Sequence, residues 1–202
     1  MGVRNGITLS EVTRICPECI LLPSDYESYL LFSKRMFSIM LKFASDIEEY
    51  SINEVFLDIT GTSRVHRFNY QGIAAKMQDD IQKELGITVS VGVSLSKSLA
   101  RLCSRLRKPS GLTAVKGRYI HLLLDQTSVE SVWGFGSNTC TLLYNHDIKT
   151  ALDFVNKPIE FAKQVLGKKG VEIWRELRGE YVYHINSINN NEQHFKVKRF
   201  AP

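Results

Sequence analysis

Glu54 and Asp58 stand four residues apart in the run Ser51-Ile52-Asn53-Glu54-Val55-Phe56-Leu57-Asp58-Ile59-Thr60-Gly61. Val55, Leu57 and Ile59 alternate with Glu54, Phe56 and Asp58, and Gly61 ends the run, so it predicts a strand with its carboxylates on one face. Along that face the two acids lie roughly 13 Å apart, too far to chelate one ion together. A metal site at the strand's start needs Glu54, a neighbour such as Asn53 and at least one more carboxylate from elsewhere in the chain. Mg²⁺ prefers anionic oxygens, and Asn53 offers one neutral carbonyl oxygen, which weakens such a site. A plain exposed acid on a strand accounts for either carboxylate without any metal.

The second constellation is cationic. Between Leu85 and Leu124 there is no Asp or Glu, while Lys97, Arg101, Arg105, Arg107, Lys108, Lys116 and Arg118 all fall there. These seven exceed the whole formal net charge of +5, so the rest of the chain is slightly acidic. Lys97, Arg101 and Arg105 recur every four residues, which on a helix stacks them along one side, with Leu99, Leu102, Cys103 and Leu106 turned the other way. A solvated face would carry such a stripe too, but solvated faces usually interleave acids to gain i,i+4 pairs. A ridge facing phosphates is the sharper reading. Ser94, Ser96, Lys97 and Ser98 sit where a strand becomes this helix, and free N–H groups, hydroxyls and an ammonium there would make a phosphate cradle; a simple serine N-cap is the alternative. Further on, Gly134-Phe135-Gly136 opens the backbone before a helix start. With Ile148, Lys149, Thr150 and Leu152 following, it suggests a helix-hairpin-helix-like element that grips a nucleic-acid backbone without reading sequence, or else a tight turn.

The elements that would position these groups are legible in outline. Ser24 with Glu27 predicts a capping box, and Tyr29, Phe32, Met36, Phe37, Met40, Phe43 and Ile47 keep helical spacing for a long amphipathic helix. A second helix spans about Tyr70 to Leu85, with Ile73, Met77, Ile81 and Leu85 inward and Gly86 as its stop. Val89, Val91 and Val93 predict a strand that runs into the basic helix, which Pro109 and Gly111 close, and Leu112 to Val115 one more short strand. The fold class is therefore α/β (α+β), a sheet with helices packed on it, followed over residues 125–181 by a small all-helical unit. The polar tract Asn186 to Gln193, with Lys196, Lys198 and Arg199 beyond it, reads as a linker with a basic end.

Composition bounds the rest. The chain has 202 residues with 44% hydrophobic content, enough for a buried core. No apolar run reaches the roughly 18 residues that span a bilayer, so no membrane partner is expected. Four irregularly placed cysteines do not make a disulfide framework, and a reducing, cytoplasmic setting is the expectation. Cys16-Pro17-Glu18-Cys19 has no second pair at metal-site spacing and reads as two ordinary thiols in a turn.

Together these residues resemble a Y-family DNA polymerase, the translesion type of the bacterial UmuC and DinB proteins. Tyr50-Ser51-Ile52-Asn53-Glu54-Val55-Phe56-Leu57-Asp58-Ile59-Thr60 is similar to the family's Y-S-I-D-E-A/V-F-L-D-x-T palm signature. Val91-Gly92-Val93, Ser96-Lys97, Leu99-Ala100, Lys108-Pro109 and Gly111-Leu112 resemble its V-G-I-x-x-N-K-x-L-A-K…K-P-x-G segment, and Val132-Trp133-Gly134-Phe135-Gly136 resembles the V-x-G-I-G of its thumb. The resemblance implies that residues 1–23 are a remnant of the fingers, 24–124 the palm, 125–181 the thumb and 182–202 a linker to an absent little-finger domain. It implies two-metal phosphoryl transfer, with Glu54 a metal ligand, Asn53 in the place of a metal-binding aspartate and Lys97 on the phosphates of an incoming deoxynucleoside triphosphate. Arg101, Arg105, Lys108, Gly134 and Gly136 would contact primer-template DNA.

The departures set the functional expectation. The family opens with a strand carrying another metal-binding aspartate and an aromatic that screens ribose from deoxyribose, and that segment is read as missing before Met1. With only Glu54 left of three carboxylates, Mg²⁺ binding is expected to be weak or absent in this chain alone. The leading expectation is a truncated or degenerate translesion polymerase, active in DNA repair and SOS-type bypass of damaged DNA and found at the bacterial nucleoid, that keeps its DNA surface and has lost nucleotidyl transfer. A noncatalytic DNA-damage adaptor that binds DNA or other replication and repair proteins is the alternative. A nonfunctional remnant, with an unpaired sheet edge and exposed apolar surface, is the third.

Overall fold

The computed structural model describes residues 2–4 and 6–186, so the linker's Lys196, Lys198 and Arg199 lie outside the described residues. Helix α1 (Leu9–Ile15) buries none of its residues and is held at its start by a capping box between Thr8 and Glu11. Helix α2 (Tyr26–Met40) follows. Its N-cap is Asp25, not Ser24: the Asp25 carboxylate accepts from the Ser28 N–H at 3.0 Å and the Ser28 hydroxyl at 2.6 Å. An anionic acceptor one residue on satisfies the helix start better than the expected serine box.

The helix also ends earlier than its apolar spacing predicts. Met36, Ile39 and Met40 are buried, but Ile47, expected on the same helix, lies in strand β1 (Asp46–Ser51). β1 pairs antiparallel with β2 (Glu54–Asp58), the chain turning at Ile52 and Asn53, so the single strand expected from Ser51 to Gly61 is the second arm of a hairpin. Its first arm, Asp-Ile-Glu-Glu-Tyr-Ser, is poor in β-branched residues, which hides it from a pattern reading. The register pairs Ile47 with Leu57 and Glu49 with Val55 on one face, and Glu48 with Phe56 on the other.

After the short helix α3 (Ser63–His66), α4 (Tyr70–Leu85) runs as expected, with Ile73, Met77 and Ile81 inward and Gly86 in the left-handed region at φ 68°. α2, β1 and α4 close a first core of Met36, Ile39, Met40, Phe43, Ile47, Ile73, Met77 and Ile81.

Strand β3 (Val91–Val93) leads into α5 (Lys97–Leu106), and β3 pairs parallel with β4 (Leu112–Ala114). The helix lies directly on the strand. A Cβ at Gly92 would fall 2.0 Å from the Ala100 carbonyl and 2.4 Å from the Ser104 nitrogen, so only glycine fits there. β2 and β3 share no ladder, and the expected sheet is two separate two-stranded pieces.

Beyond β4, a 3₁₀ turn (Gly117–Tyr119), α6 (Ile120–Asp125), a second 3₁₀ turn (Val129–Ser131), α7 (Ser137–Tyr144), α8 (Ala151–Asn156) and α9 (Ile159–Leu177, kinked at Gly167) form the helical portion. A second core joins this portion to α5: Leu99, Leu102 and Cys103 pack with Leu143, Phe154 and Ile173. Leu106, expected on that apolar side, is 43% exposed because the helix ends there. Among the described residues no helix is long and apolar enough to cross a membrane.

Candidate functional site

The hairpin face that carries Glu48, Glu54 and Phe56 meets the basic helix α5. Arg101 donates from Nε and Nη2 to Oε1 of Glu54 at 3.2 and 3.0 Å, and from Nη2 to Oε2 at 2.9 Å. Its guanidinium lies 4.9 Å from the Trp133 ring centroid and 5.7 Å from that of Tyr50. Trp133 stacks on Phe56 at 5.7 Å and meets Tyr50 and Tyr183 edge-on at 5.1 and 5.8 Å. A planar, weakly hydrated cation between aromatic faces and a carboxylate is the setting arginine tolerates best.

One turn earlier, Lys97 is only 6% exposed and donates to Glu48 Oε2 at 2.5 Å and to the His184 carbonyl at 2.7 Å. Glu48 Oε2 also accepts the Asn186 N–H at 2.7 Å. Lys97 and Arg101 thus face inward toward carboxylates, and the expected stripe of three outward cations reduces to Arg105. The hairpin supplies the missing acids from nearly fifty residues away in sequence, which is why the α5 segment looks unneutralised when read alone.

The serine cradle is not open either. Glu176, fully buried on α9, accepts the Ser98 N–H through Oε2 at 3.0 Å, and the Val182 and Tyr183 N–H groups through Oε1 at 2.9 and 2.8 Å. Ser96 caps its own helix by accepting from Leu99 N–H and donates its hydroxyl to the Glu176 carbonyl at 2.7 Å. Ser94 donates to the Val115 carbonyl. The positive end of α5 therefore holds an internal carboxylate where a phosphate was expected. Glu176, Lys97 and Glu48 together strap the segment Val182–Asn186 across the hairpin. Burial pushes the Tyr183 hydroxyl up to about 12, with Glu172 and Glu176 adding to the effect.

Among the remaining expected residues, Asn53 accepts from the Ser51 hydroxyl at 2.9 Å, and Asp58 caps the turn by accepting the Thr60 N–H at 2.9 Å. Asn53, Glu54, Arg101 and Lys108 line one cavity, whereas Arg105 lies outside it. Arg105, Arg107, Lys108, Lys116 and Arg118 are exposed, and among the described residues none has a carboxylate within ion-pair distance.

Gly134 (φ 96°) and Gly136, the N-cap of α7, form a loop whose helix start receives no side-chain cap. A Cβ at Gly134 would meet the Lys169 side chain, at 3.2 Å from Cε and 3.7 Å from Nζ, which places an exposed ammonium beside that loop. Lys169 carries no motif signal and was reachable only through the fold.

These residues do not fit a two-Mg²⁺ pocket. Both oxygens of Glu54 are held by a guanidinium, Asn53 contributes a neutral oxygen already accepting a hydrogen bond, and Glu48 is shared between an ammonium and a backbone N–H. Among the described residues no three His, Cys, Asp or Glu side chains cluster closely enough to hold a metal ion. Cys16 and Cys19 are half-buried free thiols in a turn, the Cys19 N–H donating to the Cys16 carbonyl at 3.1 Å.

The chain is 34% identical to the DNA polymerase IV of Alkaliphilus oremlandii over 179 residues, covering 88% of this chain and 44% of that protein. It is 35% identical to the DNA polymerase IV of Clostridium kluyveri over 178 residues, with the same coverage of 88% and 44%. The chain thus spans less than half the length of these curated relatives. Its fold matches the crystal structure of DinB from Sulfolobus solfataricus with a TM-score of 0.79 at 26% identity, over 92% of this chain and 55% of that one. An insertion ternary complex of Dbh DNA polymerase matches with a TM-score of 0.77 at 27% identity, over 89% and 53%. Residues 1–105 match the impB/mucB/samB family, and the chain belongs to that family, the UmuC/DinB type of Y-family DNA polymerase.

Proposed function

We propose that the described residues form a DNA-binding palm-and-thumb unit of a translesion polymerase, and that these residues by themselves do not transfer nucleotides. The observation that carries the first half is the group of five exposed cations at the end of α5 and around β4, which have no carboxylate within ion-pair distance among the described residues. Unpaired cations raise local anion concentration and are neutralised by a phosphate backbone with release of counterions. The uncapped α7 start, Gly134, Gly136 and Lys169 support a second backbone grip by N–H groups and an ammonium, the helix-hairpin-helix-like contact. Neither surface presents a motif for reading bases, so primer-template DNA is bound without sequence preference.

The second half rests on the two internal ion pairs. Glu54 with Arg101 and Glu48 with Lys97 neutralise the groups that a metal-bound triphosphate would need. Weak or absent Mg²⁺ binding follows, and with it a binding role rather than a catalytic one for this unit, the reading shared with a DNA-damage adaptor. Primer extension with Mg²⁺ and all four deoxynucleotides tests it. The expected result is duplex binding by fluorescence anisotropy, weakened in the Lys169→Gln and Arg107→Gln variants, with no extension above a Glu54→Ala control. Extension above that control would overturn the noncatalytic reading, and unchanged binding by both charge variants would overturn the assigned surface.

A further inference from the structure

Cys16 and Cys19 lie outside every surface assigned to DNA. Helix α1 ends at Ile15, and Cys16, its C-cap, donates its N–H to the Val12 carbonyl at 2.8 Å. Pro17 has no N–H with which to continue the helix, and its fixed φ suits the second position of a turn. The Cys19 N–H closes that turn on the Cys16 carbonyl at 3.1 Å. The first and fourth residues of such a turn have Cα atoms within about 7 Å of each other. The Cys16 thiol is close enough to the Cys19 thiol to push it up. Pro17 and Glu18, at the tip, are exposed, and the two cysteines are half-buried beside them. Two soft sulfurs held together by a turn at the protein surface form half of a tetrahedral zinc centre.

We infer that Cys16 and Cys19 bind zinc between two copies of this chain, each copy giving two thiolates to one four-cysteine centre on a two-fold axis. Structural zinc takes four protein ligands, and among the described residues no third His, Cys, Asp or Glu joins this pair to complete a site within one chain. The second pair that the sequence lacks is therefore supplied by a second copy. Each zinc–sulfur bond that forms releases one thiol proton to solvent, four in all.

The surroundings of the turn are self-complementary, as a two-fold interface requires. Ile15 and Ile20, which flank it, are 45% and 87% exposed, and Leu22 is 82% exposed. α1 itself buries none of its residues. Apolar shoulders on both sides of the metal meet their copies in a dimer and keep water from the zinc–sulfur bonds. Arg14, in the last turn of α1, and Glu18 are both exposed, and among the described residues neither has an ion-pair partner. A two-fold axis between the turns sets one of each sign on either side of it. The two Arg14 groups also offset the two excess negative charges of Zn²⁺ bound by four thiolates. Copper(I), satisfied by two thiolates, would bind within one copy and leave the apolar shoulders uncovered.

The test titrates reduced, metal-free protein with zinc chloride and follows it by sedimentation velocity and native mass spectrometry, with cobalt(II) as a spectroscopic stand-in. The expected result is a dimer that appears with zinc, holds one metal for two chains and dissociates on addition of EDTA. Cobalt(II) should give the visible absorption of a tetrahedral four-thiolate centre, and zinc should shield Cys16 and Cys19 from Ellman's reagent. Cys16→Ser and Cys19→Ser each abolish the zinc-dependent dimer while far-UV circular dichroism is unchanged. Ile20→Glu keeps all the ligands and weakens the dimer about tenfold or more, the effect of losing one buried apolar side chain. Arg14→Glu weakens it as well, and Glu18→Arg in the same chain restores it. One metal per chain in a monomer would show a simple chelate. No zinc uptake by the reduced protein would show two ordinary thiols, and a dimer that forms without zinc or survives Cys19→Ser would show a plain apolar interface. Each of these three overturns the inference, and none bears on DNA binding, which is read separately.

Discussion

Replacing Glu176 tests the way α5, α9 and the strap after it are joined. The side chain is fully buried and accepts three backbone N–H groups, from Ser98, Val182 and Tyr183. Glu176→Ala orphans all three donors. A buried unsatisfied donor costs about 1–3 kcal/mol, but Val182 and Tyr183 are only half-buried and can fray toward water, so the cost falls mainly on Ser98 and on the lost packing. The expected destabilisation is about 3–5 kcal/mol, the range reserved for breaking buried networks. Glu176→Gln keeps one oxygen for Val182 and Tyr183 and sets an amide donor against the Ser98 N–H, for about 2 kcal/mol. In a chain of this size each kcal/mol shifts Tm by about 2–4 °C, so Ala lowers Tm by roughly 6–20 °C and Gln by about 4–8 °C. Urea unfolding followed by circular dichroism measures both, and tryptophan fluorescence reports whether Tyr183 leaves Trp133, which it meets at 5.8 Å. If Glu176→Ala unfolds within 1 kcal/mol of the parent, or Gln costs as much as Ala, the carboxylate is not the clamp described.

The ion pair between Arg101 and Glu54, 22% and 33% exposed, is partly screened, so a double-mutant cycle of Arg101→Met with Glu54→Gln should give a coupling near 1 kcal/mol; additivity of the two would mean the guanidinium is held by the aromatic rings alone. Native thiol titration with Ellman's reagent at pH 8 should count Cys16 and Cys19 and miss Cys140 and Cys103, whose thiol burial pushes up to about 12; four reactive thiols without denaturant would show an open core. Asp153 accepts N–H groups of Lys149 and Thr150, which hold its carboxyl below the ordinary range. Its contribution is therefore present above the unfolded-state pKa and lost as pH falls through the lower folded value, and Asp153→Asn should remove about 1 kcal/mol at pH 7 and little in strong acid.

How much of this was legible depended on whether a residue's partners were close in sequence. α4 was readable because Ile73, Met77 and Ile81 keep a clean helical period and Gly86 stops it. The Asn53-Glu54 pair and the α5 cations were readable as residue types in a pattern, whereas the hairpin turn at Ile52 and Asn53 was not. Their electrostatic state was not, because Glu48 and Glu54 neutralise Lys97 and Arg101 across the fold, and no local spacing encodes that. Strand β1 was lost to its own composition, with carboxylates at Asp46, Glu48 and Glu49 where a strand is usually β-branched. Glu176 did leave a trace. It lies three residues after Ile173 and beside Leu177, on the inward stripe of α9, and an acid in such a position points to a buried role.

The salt dependence of primer-template binding tests the central claim most directly. If Arg105, Arg107, Lys108, Lys116, Arg118 and Lys169 each neutralise one phosphate, log K should fall against log salt with a slope of about −5.4, a loss of roughly 2,000-fold between 50 and 200 mM. Glutamine at Arg107 and Lys108 should bring the slope to about −3.6. A slope near zero, or one that these substitutions leave unchanged, would contradict the assignment of this surface to the DNA backbone.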